Sequence, residues 1–430
     1  MSTSAGPTLR EATRVWLRVG LIGFGGPAGQ IAILHQEVVT ERRWVSEDRF
    51  LHALNFCTLL PGPEAQQLAT YLGWLLHGAR GALIAGTLFV LPGVVILLGL
   101  SALYATVGTV GPVAAVFAGI KPAVLAIVVD ALRRIGGRAL KRRGHWAIAG
   151  AAFVALFALA VPFPIVVLVA GLIGWWMPGG SEVSVPAPTE PPSFARTIGV
   201  LGTGLIVWWL PIAFVATALG PHHLFVDLGV FFSKAAVVTF GGAYSVLVYV
   251  SQEAVSGYGW LSASEMLDGL ALAETTPGPL ILVLQFVGFL AGYRLGAPVA
   301  GLMGGLAGSL ITMWATFVPS MLLVLVGAPY VERLRRHRPL SGALSAITAA
   351  VVGVIANLAV WFALHVVFGR VDRIEVGPLN VTVPVWSTAD PFGLALAVVA
   401  MVAMLRYRVG MLTVLAGAAL AGLLRWFLVS

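Results

Sequence analysis

Two similar segments of this chain indicate its fold: FGGPAGQIAILHQEVVTERRW at 24–44 and FGGAYSVLVYVSQEAVSGYGW at 240–260. A shift of 216 positions aligns 24–63 with 240–279 without a gap, and thirteen of the forty aligned residues are identical. Both segments begin with Phe-Gly-Gly and end with Pro-Gly-Pro. We call 24–63 the N-terminal copy and 240–279 the C-terminal copy, because an internal repeat predicts a repeated structural element.

The composition predicts a membrane protein. Of the 430 residues, 59% are hydrophobic and 10% are charged, whereas soluble domains carry about 25% charged residues. Apolar runs such as GALIAGTLFVLPGVVILLGLSALYA at 81–105 are long enough to cross a hydrocarbon layer of about 30 Å as helices. They are too long and too regular to be barrel strands. The sequence therefore predicts an all-α integral membrane protein, a polytopic helical bundle.

The charges and the single cysteine exclude several partners. The net charge is +8, but the basic residues form short clusters between apolar runs, as in the cytoplasmic loops of membrane proteins. The expected partner is thus the lipid bilayer and not a nucleic acid. Cys57 is the only cysteine, and no zinc or redox spacing accompanies it. We predict no metal and no cofactor, and we expect the N-terminal segment, which lacks a signal-peptide layout, to be cytoplasmic.

Loop charges predict that the two copies are inverted in the bilayer. Basic loops mark the cytoplasmic side, and at equivalent positions one loop is basic while its counterpart is nearly uncharged. Arg42 and Arg43 align with the uncharged Tyr258 and Gly259. The basic segment 133–143 aligns with the mostly apolar segment 360–370, and the basic segment 333–338 aligns with the uncharged segment 106–111. Two inverted repeats that bind their substrate near the bilayer midplane are a common design of secondary transporters.

The chain divides into an N-terminal repeat (1–145), connecting helices with a Pro/Gly/Ser-rich linker at 177–196 (146–221), and a C-terminal inverted repeat with terminal helices (222–430). Beyond Pro-Gly-Pro the repeat continues at a shift of 227, which pairs Pro92 with Pro319. Crossings are predicted near 81–105, 111–132, 146–160, 164–177, 197–218, 298–328, 342–366, 391–405 and 409–428. The sequence leaves open whether the segments at the two motifs are re-entrant hairpins or full crossings, and whether the protein is a homo-oligomer.

The Phe-Gly-Gly and Pro-Gly-Pro motifs predict broken helices. Glycine permits backbone conformations outside the helix, and proline removes backbone donors. A broken helix at bilayer depth requires a cavity or protein cover, so these breaks are candidate binding positions, and a helix N-terminus there suits an anion. The alternative is that the small residues serve only close helix packing.

Two cations precede the breaks at equivalent positions. Arg18 and Lys234 each lie six residues before the phenylalanine of their Phe-Gly-Gly motif. A pair of cations related by the repeat would suit a divalent oxyanion, with a forked contact from arginine and a point contact from lysine. The alternative is that both side chains extend to the membrane interface.

Four carboxylates are candidates for coupling transport to an ion gradient. Glu64 directly follows the first Pro-Gly-Pro motif and Glu274 precedes the second, and intramembrane carboxylates of this kind can relay protons. Glu37 and Glu253 occupy equivalent positions in the two copies, and their alternative role is structural pairing with local cations. Lys121 and Asp130, on one predicted crossing, are either pathway groups or anchors at a helix end.

The duplicated motifs resemble the chromate ion transporter family in its long-chain, two-domain form. The resemblance is carried by FGGP, LHQEVV and RRWVSEDRFLHALNFCTLLPGPEAQQLATYLGW in the N-terminal half, and by FGG, QEAV and GWLSASEMLDGLALAETTPGPL in the C-terminal half. The family motifs carry over as implied substrate-binding residues to Phe24, Gly25, Gly26, Pro61, Gly62, Pro63, Phe240, Gly241, Gly242, Pro277, Gly278 and Pro279.

What the resemblance implies is a secondary active transporter, for example an antiporter, that exports chromate, a sulfate-like dianion, across the inner membrane and gives chromate resistance. Membrane potential or a proton gradient would drive it, since the chain has no GxxxxGK[ST] nucleotide motif. The segment AYSVLVYV after the second Phe-Gly-Gly departs from the family pattern, which leaves the exact substrate open. The alternatives are a carrier of sulfate or another oxyanion, a passive channel, and a membrane-embedded enzyme, although HExxH and GxSxG motifs are missing.

Overall fold

The structure is a computed structural model that describes residues 6–108, 110–177, 193–330, 338–377 and 379–429. The predicted linker at 177–196 lies outside the described residues except at its two ends, and so does the basic loop 333–338 except for its last residue. The described chain consists of helices and one short two-stranded sheet. With several helices able to cross a membrane, this confirms the predicted helical, multi-pass class.

The helices follow the order in which the sequence predicts them. In the N-terminal half they are α1 (Leu9–Ile22), α2 (Gly26–His35), α3 (Glu47–Cys57), α4 (Glu64–Val107) and α5 (Gly111–Ala139). The connecting helices are α6 (Arg143–Phe157), α7 (Phe163–Trp175) and α8 (Phe194–Leu219). In the C-terminal half they are α9 (Leu224–Val238), α10 (Ala243–Gln252), α11 (Ala263–Thr275), α12 (Val283–Leu295), α13 (Gly301–Gly327), α14 (Arg338–Val367), α15 (Pro391–Leu405) and α16 (Met411–Val429).

Six of the described helical segments are long and apolar enough to cross a bilayer. They are Glu64–Val107, Gly111–Ala139, Phe194–Leu219, Gly301–Tyr330, Pro339–Val367 and Met411–Val429. The predicted crossings near 146–160, 164–177 and 391–405 correspond to α6, α7 and α15, which have 15, 13 and 15 residues. At about 1.5 Å per residue these three are shorter than a hydrocarbon layer of about 30 Å.

Local backbone features repeat between the two copies. A π-helical turn occupies Gln36–Glu41 in the N-terminal copy and Glu253–Gly257 in the C-terminal copy. Shortly after it, Arg43 (φ 53°) and Gly259 (φ 64°) both adopt the left-handed conformation. That conformation is costly for a side chain other than glycine, so the repeat preserves the backbone path even where the residue type has changed.

The chain packs into two compact units. The first comprises 1–101, 180–246 and 276–338, and the second comprises 102–179, 247–275 and 339–430. Each unit takes segments from both halves of the chain. The division into 1–145, 146–221 and 222–430 therefore remains a prediction about sequence organisation and not a description of packing.

Glycines set the helix packing in the first unit. α12 and α13 pack on each other, and α13 also packs on α8 and α9. A Cβ atom at Gly292 would collide with the backbone of Gly304, and one at Gly308 would collide with the backbone of Gly288. Helices that approach this closely are typical of membrane proteins, in which small residues allow backbones to touch.

The second unit is built around α5. This helix packs against α11, α15 and α16, and its contact with α16 also depends on glycine: a Cβ atom at Gly119 would collide with the carbonyl of Ala418. The antiparallel strands β1 (Val371–Val376) and β2 (Leu379–Pro384) belong to this unit and pair Val371 with Pro384. This hairpin, which the sequence did not predict, follows α14 and is tied to the end of α6 by a hydrogen bond from the Asn380 N–H to the Ala158 carbonyl (2.8 Å).

Candidate functional site

The Phe-Gly-Gly motif interrupts a helix in both copies. Residues 23–25 separate α1 from α2, and residues 239–242 separate α9 from α10. Gly25 (φ 89°) and Gly241 (φ 75°) both lie in the left-handed region, which glycine adopts without steric cost. The second glycine of each motif has a positive φ as well. The helix breaks predicted at Phe-Gly-Gly are therefore present, and the glycines are the reason for them.

The Pro-Gly-Pro motif produces a second break in each copy. Residues 58–63 separate α3 from α4, and residues 276–279 separate α11 from the 3-10 turn that leads into α12. The central glycines again have positive φ values, 132° at Gly62 and 108° at Gly278. Because the flanking prolines have no N–H, the glycine provides the one backbone donor of each motif.

These donors close the breaks of the opposite copy. The Gly62 N–H donates to the Thr239 carbonyl (2.7 Å), and the Gly278 N–H donates to the Gly23 carbonyl (2.9 Å). The shift of 216 positions converts the first hydrogen bond into the second. A reciprocal contact of this kind is what two copies related by an approximate two-fold axis make. All four interrupted segments thus meet within the first compact unit.

A second pair of contacts extends this relation beyond Pro-Gly-Pro. A Cβ atom at Gly93, the residue after Pro92, would collide with the carbonyl of Pro277. A Cβ atom at Gly62 would lie 2.9 Å from the hydroxyl of Ser320, the residue after Pro319. The shift of 227 that the sequence suggested for this region pairs Gly93 with Ser320, and each of them abuts the Pro-Gly-Pro motif of the other copy.

Four glutamines surround the breaks. The Gln30 side-chain amide donates to the Gly23 carbonyl (3.2 Å) and to the Gly278 carbonyl, so it spans both copies. The Gln67 amide donates to the Pro61 carbonyl (2.7 Å). Gln66 accepts a hydrogen bond from the Ser320 hydroxyl (2.8 Å). These three side chains are fully buried, and Gln30 and Gln67 hydrogen-bond to the non-helical backbone of the breaks.

The fourth glutamine, Gln285, donates to the Val94 carbonyl (2.9 Å). Among the described residues, the side-chain carbonyl oxygens of Gln30, Gln67 and Gln285 have no hydrogen-bond partner. Buried polar atoms are almost always paired, so three unpaired oxygens in one unit are unusual. They give the interior of this unit free hydrogen-bond acceptors. The glutamines were not predicted as site residues because they carry no charge, although QQ within EAQQLATYLGW and Q within LILVLQFVGF interrupt apolar runs.

The arrangement presents helix N-termini at the breaks. α4 begins directly after the first Pro-Gly-Pro motif, and the residues around the second motif, 276–290, are buried. The first N–H groups of a helix lack intrahelical partners and lie at the positive end of its dipole. Such ends bind anions. At the Phe-Gly-Gly breaks Phe24 is 37% exposed, whereas Phe240 is half-buried.

The two candidate cations lie on exposed helix surfaces. The Arg18 side chain is 58% exposed, and its Nε lies 3.5 Å from a carboxylate oxygen of Glu37. Lys234 is exposed as well, and it forms no hydrogen bond or ion pair with any described residue. Neither side chain forms a hydrogen bond or ion pair with the described residues of the motifs, and their role in binding stays a prediction.

Glu37 and Glu253 differ in their surroundings. Glu37 is buried and forms ion pairs with Arg42 and Arg18. Glu253 is half-buried and forms no ion pair with a described residue. It lines a cavity of about 310 Å³ within the second compact unit, and the lining includes Asn357 and Arg373.

The remaining candidates lie close to the Pro-Gly-Pro breaks. Glu64 is the first residue of α4 and is half-buried, and Glu274 is buried near the end of α11. Both have interaction partners. Within the described ranges the structure contains no group of three or more His, Cys, Asp or Glu side chains that could hold a metal ion.

The sequence pattern of the chromate transporter family matches residues 10–175 and 226–423. The chain belongs to the chromate transporter family. The predicted resemblance is therefore confirmed, and the chain is a transport protein and not an enzyme. The matched ranges contain all four helix breaks, and most of the unmatched interval falls on α8 and on residues outside the described ranges.

Three relatives in the chromate transporter family show how far the similarity extends. The chain is 33% identical to the chromate transport protein of Pseudomonas aeruginosa over 84% of this chain and 82% of the relative. It is 28% identical to the probable chromate transport protein of Synechococcus elongatus (82% and 84%). It is 27% identical to the chromate transport protein of Cupriavidus metallidurans (83% of each). No solved structure matches the chain significantly.

Proposed function

We propose that this protein is a secondary active transporter that exports chromate across the inner membrane and thereby gives chromate resistance. The observation that supports the proposal best is the reciprocal closure of the helix breaks: Gly62 bonds to Thr239 and Gly278 bonds to Gly23. A helix break that is fixed by the opposite repeat is the setting in which secondary transporters bind their substrates. The names of the relatives support chromate as the transported ion.

We further propose that the two repeats are inverted in the bilayer, with the N-terminus in the cytoplasm. The reciprocal contacts support an approximate two-fold relation between the copies. The opposed loop charges favour an axis that lies in the membrane plane, because basic residues stay on the cytoplasmic side. Alternating access would then follow from a rocking motion of one repeat against the other.

The proposed substrate contacts are the first backbone N–H groups of the helices that begin after the breaks, since the glycine N–H groups of both Pro-Gly-Pro motifs already donate to carbonyls. Arg18 and Lys234 are the proposed countercharges. Chromate is a tetrahedral dianion, so it can accept hydrogen bonds from several directions at once. Backbone donors at helix N-termini hold an anion without a fixed countercharge. The two cations, which are exposed in this structure, would approach the ion in a second conformation of the transporter.

The proposed driving force is the membrane potential or a proton gradient. A potential of 100 mV is worth about 2.3 kcal/mol per elementary charge. A dianion that leaves a cell with a negative interior gains roughly twice this amount. Export of chromate is therefore favourable without nucleotide hydrolysis.

The proposal is tested by uptake of labelled chromate into inverted membrane vesicles, with potential and pH gradient imposed separately. We expect accumulation when either gradient is present, and loss of accumulation in Arg18→Ala and in Lys234→Ala at normal membrane abundance. Arg14→Ala is the matched control, because Arg14 is exposed on the same helix one turn before Arg18. Accumulation that ignored both gradients would contradict active export.

The same vesicles distinguish the alternative substrate. Sulfate has the charge and shape of chromate, and the segment AYSVLVYV departs from the family pattern. Unlabelled sulfate, molybdate and phosphate are added in turn as competitors. If sulfate is carried faster than chromate at equal concentration, the protein is a sulfate carrier whose handling of chromate is incidental.

A further inference from the structure

A partly buried ionisable cluster joins α11 to α5 and the end of α4 in the second compact unit. The Tyr104 hydroxyl donates a hydrogen bond to Asp268 Oδ2 (2.7 Å). Lys121 Nζ lies 3.4 Å from the same carboxylate oxygen and donates to the Ser264 hydroxyl (2.5 Å). Lys121 belongs to α5, one of the helices that can cross the membrane. The cluster is separate from the glutamines and the helix breaks described above.

Asp268 is the most enclosed member of this cluster. It is 3% exposed, and although Oδ2 accepts two contacts, Oδ1 is buried and has no partner among the described residues. An ionised carboxylate accepts hydrogen bonds on both oxygens, whereas the protonated form carries a hydroxyl group. A bare, buried oxygen of a charged group is costly, and a proton on Oδ1 lowers that cost because it removes the charge.

The groups around Asp268 have opposite effects on the protonation state of its carboxyl group. The titratable and charged neighbours are Lys121 from α5, Tyr104 from α4 and Glu265 from its own helix. Burial and the negative charge of Glu265 favour a protonated carboxyl, whereas the ammonium of Lys121 and the tyrosine hydrogen bond favour the ionised one. A carboxyl group under such balanced influences can change its protonation state when its surroundings change.

We propose that Asp268 binds and releases a proton at Oδ1 during the transport cycle, with Lys121 as its positioning partner. The step is a proton association: carboxylate and proton give the carboxylic acid, Lys121 keeps its own proton, and the charge of the pair changes from zero to +1. This inference rests on the proposed transport function, for which it supplies the proton-coupled component.

The position of Asp268 in the chain links this step to the candidate site. α11 ends at Thr275 and leads directly into the Pro-Gly-Pro segment 277–279. α11 is thus continuous along the chain with a helix break, so a change in its contact with α5 would act on the segment that leads into that break. Asp268 was not predicted as a coupling residue, because the repeat aligns it with His52 and not with a second carboxylate.

The first experiment measures chromate-dependent proton movement in vesicles that contain wild-type protein, Asp268→Asn or Asp268→Glu. We expect Asp268→Asn to lose the proton movement and the response to a pH gradient, while uptake driven by an imposed potential persists. Asp268→Glu should restore the proton movement. Asp48→Asn, the same side-chain change at an exposed residue of α3 outside the cluster, is the matched control. Wild-type proton movement in Asp268→Asn overturns the proposal.

The second experiment needs no substrate and therefore separates the two proposals. Infrared difference spectra of the purified protein between acidic and alkaline pH should contain a carboxylic acid band that is lost in Asp268→Asn and kept in Asp48→Asn. In Lys121→Gln the midpoint of this band should move to higher pH, because the ammonium no longer favours the carboxylate. If the band is unchanged in Asp268→Asn, the proton site is refuted, whatever the vesicles transport. If wild-type protein carries chromate without moving protons, the coupling role fails while the proposed function stands.

Discussion

The N-terminal and C-terminal copies share a backbone but not a set of charges. Both break their helices at Phe-Gly-Gly and Pro-Gly-Pro, both form a π-helical turn, and both adopt a left-handed residue after it. In contrast, Glu37 is buried in ion pairs with Arg42 and Arg18, whereas Glu253 pairs with no described cation. The helix breaks are duplicated together, while the charges of the surrounding loops have diverged.

This difference indicates which features the two copies need in common. A site formed by both copies requires the same backbone geometry from each, so the glycines and prolines recur. The charge of a loop depends on the side of the membrane on which the loop lies. Equivalent loops of two inverted copies are therefore expected to differ in charge. The comparison thus separates residues that serve the shared site from residues that serve orientation and stability.

The largest effect is expected from alanine at the central glycine of either Pro-Gly-Pro motif. Gly62 and Gly278 have positive φ values, and a Cβ atom would lie 2.9 Å from Ser320 Oγ or from Leu282 Cδ1. Strain of about 1–3 kcal/mol would displace the N–H that closes the opposite break. We expect Gly62→Ala and Gly278→Ala each to abolish chromate uptake into vesicles.

The control for both variants is Gly377→Ala. Gly377 also has a positive φ (60°), but a Cβ atom added there would have no neighbouring atom within 4 Å, so only the conformational cost is shared. Transport should persist in this variant. If Gly62→Ala fails and Gly278→Ala transports normally, the two breaks do not form one site.

A smaller effect is expected when the paired and the unpaired glutamate are neutralised. Glu37→Gln removes the buried partner of Arg42 and Arg18, which should lower the free energy of unfolding by about 1–2 kcal/mol. Glu253→Gln should change it by less than about 0.5 kcal/mol. Thermal unfolding of the two purified variants in detergent measures the difference. Equal destabilisation would show that the copies use this glutamate alike.

The smallest effect on activity is expected from short tags placed after Arg43 and after Gly259. Both positions follow a π-helical turn at the protein surface, so the tagged proteins should still transport. An impermeant reagent should label the two tags from opposite faces of the membrane. Labelling of both from the same face would contradict the inversion and leave the reciprocal hydrogen bonds without that explanation.

Much of this architecture can be read from the sequence. The apolar runs predicted most of the long helices to within a few residues, although α4 begins at Glu64 and the crossing was predicted only from 81. The glycines and prolines predicted all four breaks, because both signals are local in the chain. The alignment at 216 and at 227 even paired residues that lie in equivalent contacts, as Gly93 and Ser320 do.

Other features depend on contacts between distant segments and were not predicted. Gln30 and Gly278 form a hydrogen bond although they are 248 positions apart in the sequence. Tyr104 and Asp268 do so at a separation of 164 positions, and no local sequence pattern predicts either contact. The β1–β2 hairpin was missed because its residues are few and follow a long apolar helix. Arg18 and Lys234, the charged residues predicted for the site, lie on exposed faces. The uncharged Gln30 and Gln67, which were not predicted, hydrogen-bond to the backbone of the breaks.

The hydrogen bonds from Gly62 to Thr239 and from Gly278 to Gly23 also have a consequence for assembly. Neither half of the chain supplies the acceptor that its own central glycine needs. A protein with a single copy could meet this need only by pairing with a second molecule of itself. Because both copies lie on one chain, the partner of each is covalently attached, and neither half should close its break when it is produced alone.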